Sequence, residues 1–161
     1  MRQLAVFLVL SGLVWYYSRY EFGPNRAKYG KVKTFDGRCF YAPASVRTIL
    51  KDLAPFRDIY IRQERTIDLV FPMLYGAMFA VAISALAGPA RMPWWLTLVP
   101  VAAAAADYVE NLTTSTMMSR YPAAPGSLAY VASLASGAKG LCLLGSLGLT
   151  VLLAILAIVR R

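Results

Sequence analysis

The chain has 161 residues, 58% of them hydrophobic, with a mean hydropathy of +0.53, which exceeds an ordinary soluble domain and points to a membrane protein. Its formal charge of +9 is concentrated in one stretch between apolar segments, a pattern that fits anionic lipid and excludes nucleic acid as the expected partner. Two cysteines and no histidine exclude the usual zinc sites. No cofactor or dedicated metal centre is expected, and the metal chemistry left open is a hard cation held by carboxylates and carbonyls.

Residues 3–20 are uncharged up to an aromatic belt, Trp15, Tyr16 and Tyr17, followed by Arg19. No small-x-small cleavage site follows, so the stretch reads as a retained first membrane helix. The segment 21–65 is polar and basic. Between Arg19 and Arg65 there are eleven Lys/Arg and five acids, Glu21, Asp36, Asp52, Asp58 and Glu64. Gly23-Pro24 and Asp36-Gly37 are turn signals, and Lys31–Phe35 with Arg38–Tyr41 would form a small hairpin about Asp36-Gly37. Val46, Ile49, Leu50 and Leu53 recur at helical spacing, predicting an amphipathic helix over about 45–54 with Ser45 as N-cap.

A continuous helix is expected from near Pro55, its first turns charged and outside the core, its membrane part covering 66–88. Asp68 falls just inside that boundary, with Pro72 and Tyr75 on the same face, and Pro72 removes one backbone hydrogen bond. Gly88-Pro89 ends this helix and Pro93-Trp94-Trp95 opens the next, spanning 94–118, which the short turn makes antiparallel. The last helix spans 127–159. Its small residues recur at every fourth position, Ala132–Ser136–Gly140 and Ser133–Gly137, and would serve close packing or a homo-oligomer interface. Cys39 lies in the polar loop and Cys142 inside the last helix, so no disulfide between them is expected.

The expected fold is therefore an all-α integral membrane protein, a single domain of four antiparallel transmembrane helices, with the basic loop between helices one and two. The excess of positive charge places loop 19–65 in the cytoplasm, both termini outside, and a bacterial inner membrane as the setting.

The third membrane segment carries the exception to its own apolarity. Spacings of three and four put Asp107, Glu110, Asn111 and Thr114 on one helical face. Asp107 lies about 18 Å from the loop-side end of its helix and Lys139 about 19–20 Å along the next, so antiparallel packing predicts an Asp107–Lys139 pair, with Glu110 close by. Asp68 and Tyr75 complete a polar column opening toward the basic loop. Such charges inside a membrane segment face a polar interior and mark a candidate site.

No nucleophile elbow, phosphate loop or metalloprotease motif is present, so an enzyme is the less favoured class. Three readings follow. The first is a structural or accessory subunit whose cluster fixes helix register and whose loop meets anionic lipid or a membrane-protein partner. The second is an oligomeric cation- or proton-coupled transporter or channel subunit using Asp107 and Glu110. The third is a lipid-acting enzyme using the carboxylates, with Tyr75, Tyr108 or Tyr121 at hand.

Overall fold

The computed structural model describes residues 2–20, 27–38 and 40–159. The Gly23-Pro24 turn, Cys39 and the terminal arginines lie outside the described residues. Regular structure is entirely helical: α1 (Arg2–Tyr20), α2 (Val46–Leu53), α3 (Arg57–Glu64), α4 (Ile67–Ala87), α5 (Leu98–Arg120) and α6 (Leu128–Val159), with short 3-10 turns at Pro43–Ser45, Ala54–Phe56 and Trp94–Thr97. The longest helices form the frame: α5 packs along α6, α4 lies against both, and α1 packs on the outside of α4.

The expected hairpin does not form, and there is no strand among the described residues. A turn is present at Asp36-Gly37, closed by the Arg38 amide donating to the Phe35 carbonyl at 2.9 Å and the Gly37 amide to the Thr34 hydroxyl at 3.3 Å. Residues 31–34 alternate exposed and half-buried, but among the described residues the only backbone hydrogen bond between the two flanks is that from Arg38 to Phe35, so no strand ladder forms. Phe35 and Tyr41 both turn inward and meet edge to face, 5.0 Å between ring centroids. The turn forms as signalled, and packing of the two aromatics takes the place of strand pairing. Ser45 also makes no side-chain cap, because a 3-10 turn begun by Pro43 already leads into α2.

The helix expected to run unbroken from Pro55 divides at Arg65-Thr66. Thr66 leaves the helical region (φ −130°, ψ −77°), and its hydroxyl donates back to the Arg62 carbonyl at 2.7 Å. This break matters for the site. It lets α3 turn Tyr60, Gln63 and Glu64 inward, so its charged turns are partly buried rather than wholly outside.

Two apolar clusters sit at opposite ends of the frame. The loop-side cluster joins Tyr29, Phe35, Tyr41, the apolar face of α2 and Tyr60 to Met117, Met118, Ala129 and Ala132. The far cluster is Ile83, Ala90, Leu96 and Leu153. The acidic face of α5 lies between them.

Two helices, α4 and α6, are long and apolar enough to cross a membrane. Few of their residues are buried, and side chains such as Leu134, Leu141, Leu144 and Ile158 are at least 70% exposed. That is the reverse of a soluble core helix and fits association with a membrane. By composition α1 and α5 fall short: α1 ends in Tyr-Tyr-Ser-Arg-Tyr, and α5 carries two acids and a run of hydroxyl residues.

The small residues of α6 are used within the chain. Ala132, Ser133 and Ser136 are buried, and the Ser133 hydroxyl donates to the Tyr41 carbonyl. Those three positions pack within the chain, while Gly137 and Gly140 of the same stripes are half-buried. Cys142 is a free thiol.

Candidate functional site

Pro72 has no N–H, so the Asp68 carbonyl one turn earlier has no helical donor. The Asn111 side chain supplies one, its Nδ2 donating to Asp68 O at 3.1 Å. One turn along, the Tyr108 hydroxyl donates to the Leu69 carbonyl at 2.7 Å. These bonds fix the register of α4 on α5. Close approach is permitted by Gly76, where a Cβ would stand 3.1 Å from the Ala104 Cβ and 3.4 Å from the Pro100 carbonyl. Tyr75 then reaches across and donates to Asp107 Oδ2 at 2.9 Å.

Lys139 comes from α6 to meet this face. Its Nζ lies 3.1 Å from Asp107 Oδ1 and 2.5 Å from Glu110 Oε2, so the ion pair expected from helix register forms and includes both acids. The third partner was not legible in the sequence: Asp36, at 3.0 Å. The loop folds back along α6 far enough to bring this turn residue onto the lysine. A second unexpected acid, Glu64, is only 2% exposed and joins Asp36 and Asp68.

Among the described residues five carboxylates thus gather in two trios that share Asp36, three of them in contact with the Lys139 ammonium. Oxygens of Asp36, Asp107 and Glu110 lie within 4.8 Å of one another, as do those of Asp36, Glu64 and Asp68. Among the described residues, Lys139 makes all three ion pairs of the first trio. Tyrosines surround the set: the Tyr41 hydroxyl faces Glu110, and that of Tyr60 faces Glu64 and Thr114. Thr114 itself is buried and donates to the Asn111 carbonyl at 3.3 Å. All seven residues expected from sequence, Asp68, Tyr75, Asp107, Glu110, Asn111, Thr114 and Lys139, fall in or beside this layer. Of the other tyrosines considered, Tyr108 serves the α4–α5 register and Tyr121 packs on the loop-side apolar cluster.

A cavity of about 280 Å³ adjoins the cluster, lined by Asp36, Asp68, Pro72, Tyr75, Asp107, Asn111 and Lys139 together with Phe71 and Leu143. It has room for several waters or a hydrated ion.

Electrostatics separate the two loop-side acids. Burial pushes Asp36 up, but the Lys139 ammonium, with hydrogen bonds to Glu64, Lys139 and its own backbone, holds it below the ordinary carboxylate value. Glu64 has no such cation. Burial, then the charges of Asp36 and Asp68, push it well above its ordinary value. Burial and Glu64 likewise push the Tyr60 phenol up, while burial and Glu110 do so for Tyr41. One acid of this pair is thus held as the anion and its neighbour as the acid, an arrangement that can exchange a proton for a cation.

Depth along the helices needs correction. Asn111 meets Asp68 in the first turn of α4, so residues 112–120 of α5 overhang the start of α4 by about 13 Å. The polar layer therefore spans the first two turns of α4, at Asp68 to Tyr75, and is shallower than counting from the ends of α5 and α6 implies. Sequence signals for the missed acids were weak. Tyr60, Gln63 and Glu64 do share one face of α3 by their three- and four-residue spacing, whereas nothing local to Asp36 marks it as inward.

No protein-family profile matches the chain, and no curated protein or solved structure matches it either.

Proposed function

We propose that α1, α4, α5 and α6 cross a bilayer as a four-span bundle, with α2, α3 and the loop capping it on the cytoplasmic side. The acidic layer is then a cation- or proton-binding centre of a small transporter or channel subunit. The membrane-facing parts fit the required length. Residues 67–87 of α4 and 140–159 of α6 are each about 30 Å long, which matches the hydrocarbon core. The first eleven residues of α6, together with the overhang of α5, then stand beside the loop in the interfacial region. Lys139 and its acids lie at the inner boundary of the hydrocarbon, with the cavity opening off them.

The observation that carries this reading is the surplus of acid: three carboxylates on Lys139, with Glu64 and Asp68 gathered on Asp36 beside them, and a cavity lined in part by Asp36, Asp68, Asp107 and Lys139. A structural ion pair needs one acid, and each further buried carboxylate costs several kcal/mol unless a proton or cation accompanies it. The experiment is proton flux into liposomes loaded with a pH-sensitive dye, under an imposed gradient. Wild-type protein gives flux above empty liposomes, and Asp107→Asn removes it. Wild-type protein at the empty-liposome rate would sink the proposal.

A second reading has its own support. Arg47, Lys51, Arg57 and Arg62 are exposed on α2 and α3 against exposed Asp52 and Asp58, a net basic surface that the proposed topology sets at the membrane boundary. It fits an accessory subunit held against anionic lipid. Flotation with phosphatidylserine vesicles of the detergent-free loop side is not needed to test it: loss of vesicle-composition dependence of activity or assembly after Arg47→Gln/Lys51→Gln is the expected sign.

A further inference from the structure

We infer that Asp36, Glu64 and Asp68, with the Asn111 side-chain carbonyl, form a binding site for a hard divalent cation on the loop side of the acidic layer. This rests on the reading of the cluster as a cation-binding centre and names the ligand and its position.

The two trios differ in what already occupies them. The Asp107–Glu110 side is filled by the Lys139 ammonium at 2.5–3.1 Å. On the other side Lys139 reaches only the shared Asp36, and among the described residues no ammonium or guanidinium pairs with Glu64. Both Glu64 oxygens are buried without a hydrogen-bond partner of good geometry, although the residue is 2% exposed. A buried carboxyl that faces two further acids and has no paired cation among the described residues is costly to ionise, and a bound cation removes that cost.

Asn111 gives an independent sign. It is 3% exposed and lines the cavity with Asp36 and Asp68. Its amide orientation is fixed, because Nδ2 bonds to the Asp68 carbonyl, which can only accept. The opposite atom, Oδ1, is therefore an acceptor, and it is buried without a donor. A neutral oxygen left bare on a residue that shares a cavity wall with Asp36 and Asp68 is what a hard cation takes as a ligand, and what a lysine-only cluster does not require.

Dimensions agree. The carboxylate oxygens fall within 4.8 Å of one another. Calcium binds oxygen at about 2.3–2.6 Å and tolerates irregular mixtures of carboxylate, carbonyl and water, so trans ligands stand about 4.6–5.2 Å apart. The adjoining cavity has room for the waters that would complete the shell. Three acids and one amide oxygen supply the donor set of a calcium or manganese site, not of a soft metal.

The test is Mn2+ binding to the full-length, chelator-treated protein in detergent, read by electron paramagnetic resonance of free Mn2+, with Ca2+ as competitor. The expected result is saturable binding of one Mn2+ per chain, displaced by Ca2+. Glu64→Gln and Asn111→Leu each weaken it at least tenfold, whereas Asp107→Asn, in the lysine-filled trio, changes it less than threefold. Absence of saturable binding overturns the inference, as does binding lost in Asp107→Asn but kept in Glu64→Gln. Each variant's unfolding temperature is recorded, and Glu64→Gln, which keeps the shape of a buried neutral carboxyl, keeps the assay readable if Asn111→Leu fails to fold. Liposome proton flux is scored separately. Flux without Mn2+ binding discards this site and keeps the proposed function, whereas neither flux nor binding discards both.

Discussion

Replacing Lys139 by methionine removes the ammonium that pairs with Asp36, Asp107 and Glu110 while keeping most of the side chain's length. Its Nζ touches carboxylate oxygens of Asp36, Asp107 and Glu110 at 3.0, 3.1 and 2.5 Å. The three acids do not suffer equally. The Asp36 side chain is 27% exposed and can rehydrate, whereas those of Asp107 and Glu110 are 8% and 1% exposed and cannot. Leaving a buried charge without its partner costs about 3–5 kcal/mol. For a chain of this size each kcal/mol moves Tm by about 2–4 °C, so Lys139→Met should unfold about 6–20 °C below wild type at neutral pH. Glu110 has the shortest contact and the deepest burial. Neutralising it as well, in Lys139→Met/Glu110→Gln, removes the worst stranded charge and should recover about 2 kcal/mol relative to additivity. Thermal unfolding in detergent at pH 7.5, for wild type, both single variants and the double, supplies the cycle. Lys139→Met melting within about 2 °C of wild type would refute the reasoning, as would a double variant whose loss equals the sum of the singles.

The remaining perturbations address other contacts. Tyr75→Phe loses the hydrogen bond to Asp107 and should cost about 1–3 kcal/mol, a bond to a charged acceptor, measured by the same unfolding assay. Gly76→Leu places a side chain where even a Cβ lies 3.1 Å from Ala104. It should cost at least about 1–3 kcal/mol through overpacking, with Gly76→Ala costing less, and an equally stable Leu variant would show that α4 and α5 are farther apart. Glu64 supplies a pH dependence. Its folded value is raised, so the folded state holds a proton that the unfolded chain releases above about pH 4.3, and stability falls as pH rises from there toward the folded value. In chelator, Glu64→Gln should therefore be more stable than wild type near pH 8 and equal to it near pH 4. Asp36 has the opposite sign: its depressed value stabilises the fold above about pH 3.9, and the benefit disappears as pH falls through the folded value. Asp36→Asn should accordingly narrow its deficit against wild type in acid.

Legibility in the sequence followed the range of the interactions. The apolar runs of α4, α5 and α6 were visible because each is long, and the turns at Gly88-Pro89, Pro93 and 122–126 that separate them declare themselves locally. Asp107, Glu110 and Lys139 were readable because regular helices convert residue number into height, and a short turn fixes the relative direction of two neighbours. Asp36 was not. Its placement depends on the loop folding back onto α6 through Phe35, Tyr41 and Ser133, contacts about a hundred residues apart in the chain, and the Asp-Gly pair locally encodes only a turn. Glu64 was misplaced for a related reason. The charges of α3 resemble a solvated helix start, and the break at Thr66 that turns Glu64 inward carries neither proline nor glycine. Local propensity did not contain those two acids, and they are the ones that change a lysine-centred ion pair into a larger acidic centre.

The most direct test of that centre pairs two readings on one preparation of Glu110→Gln: proton flux in liposomes and unfolding temperature in detergent. If the carboxylate is kept for binding, removing its charge abolishes flux while Tm stays within about 2 °C of wild type or rises, since a buried charge has been relieved. Wild-type flux in the variant, or a large fall in Tm with no flux in either protein, would contradict the account and leave the acids as structural partners of Lys139.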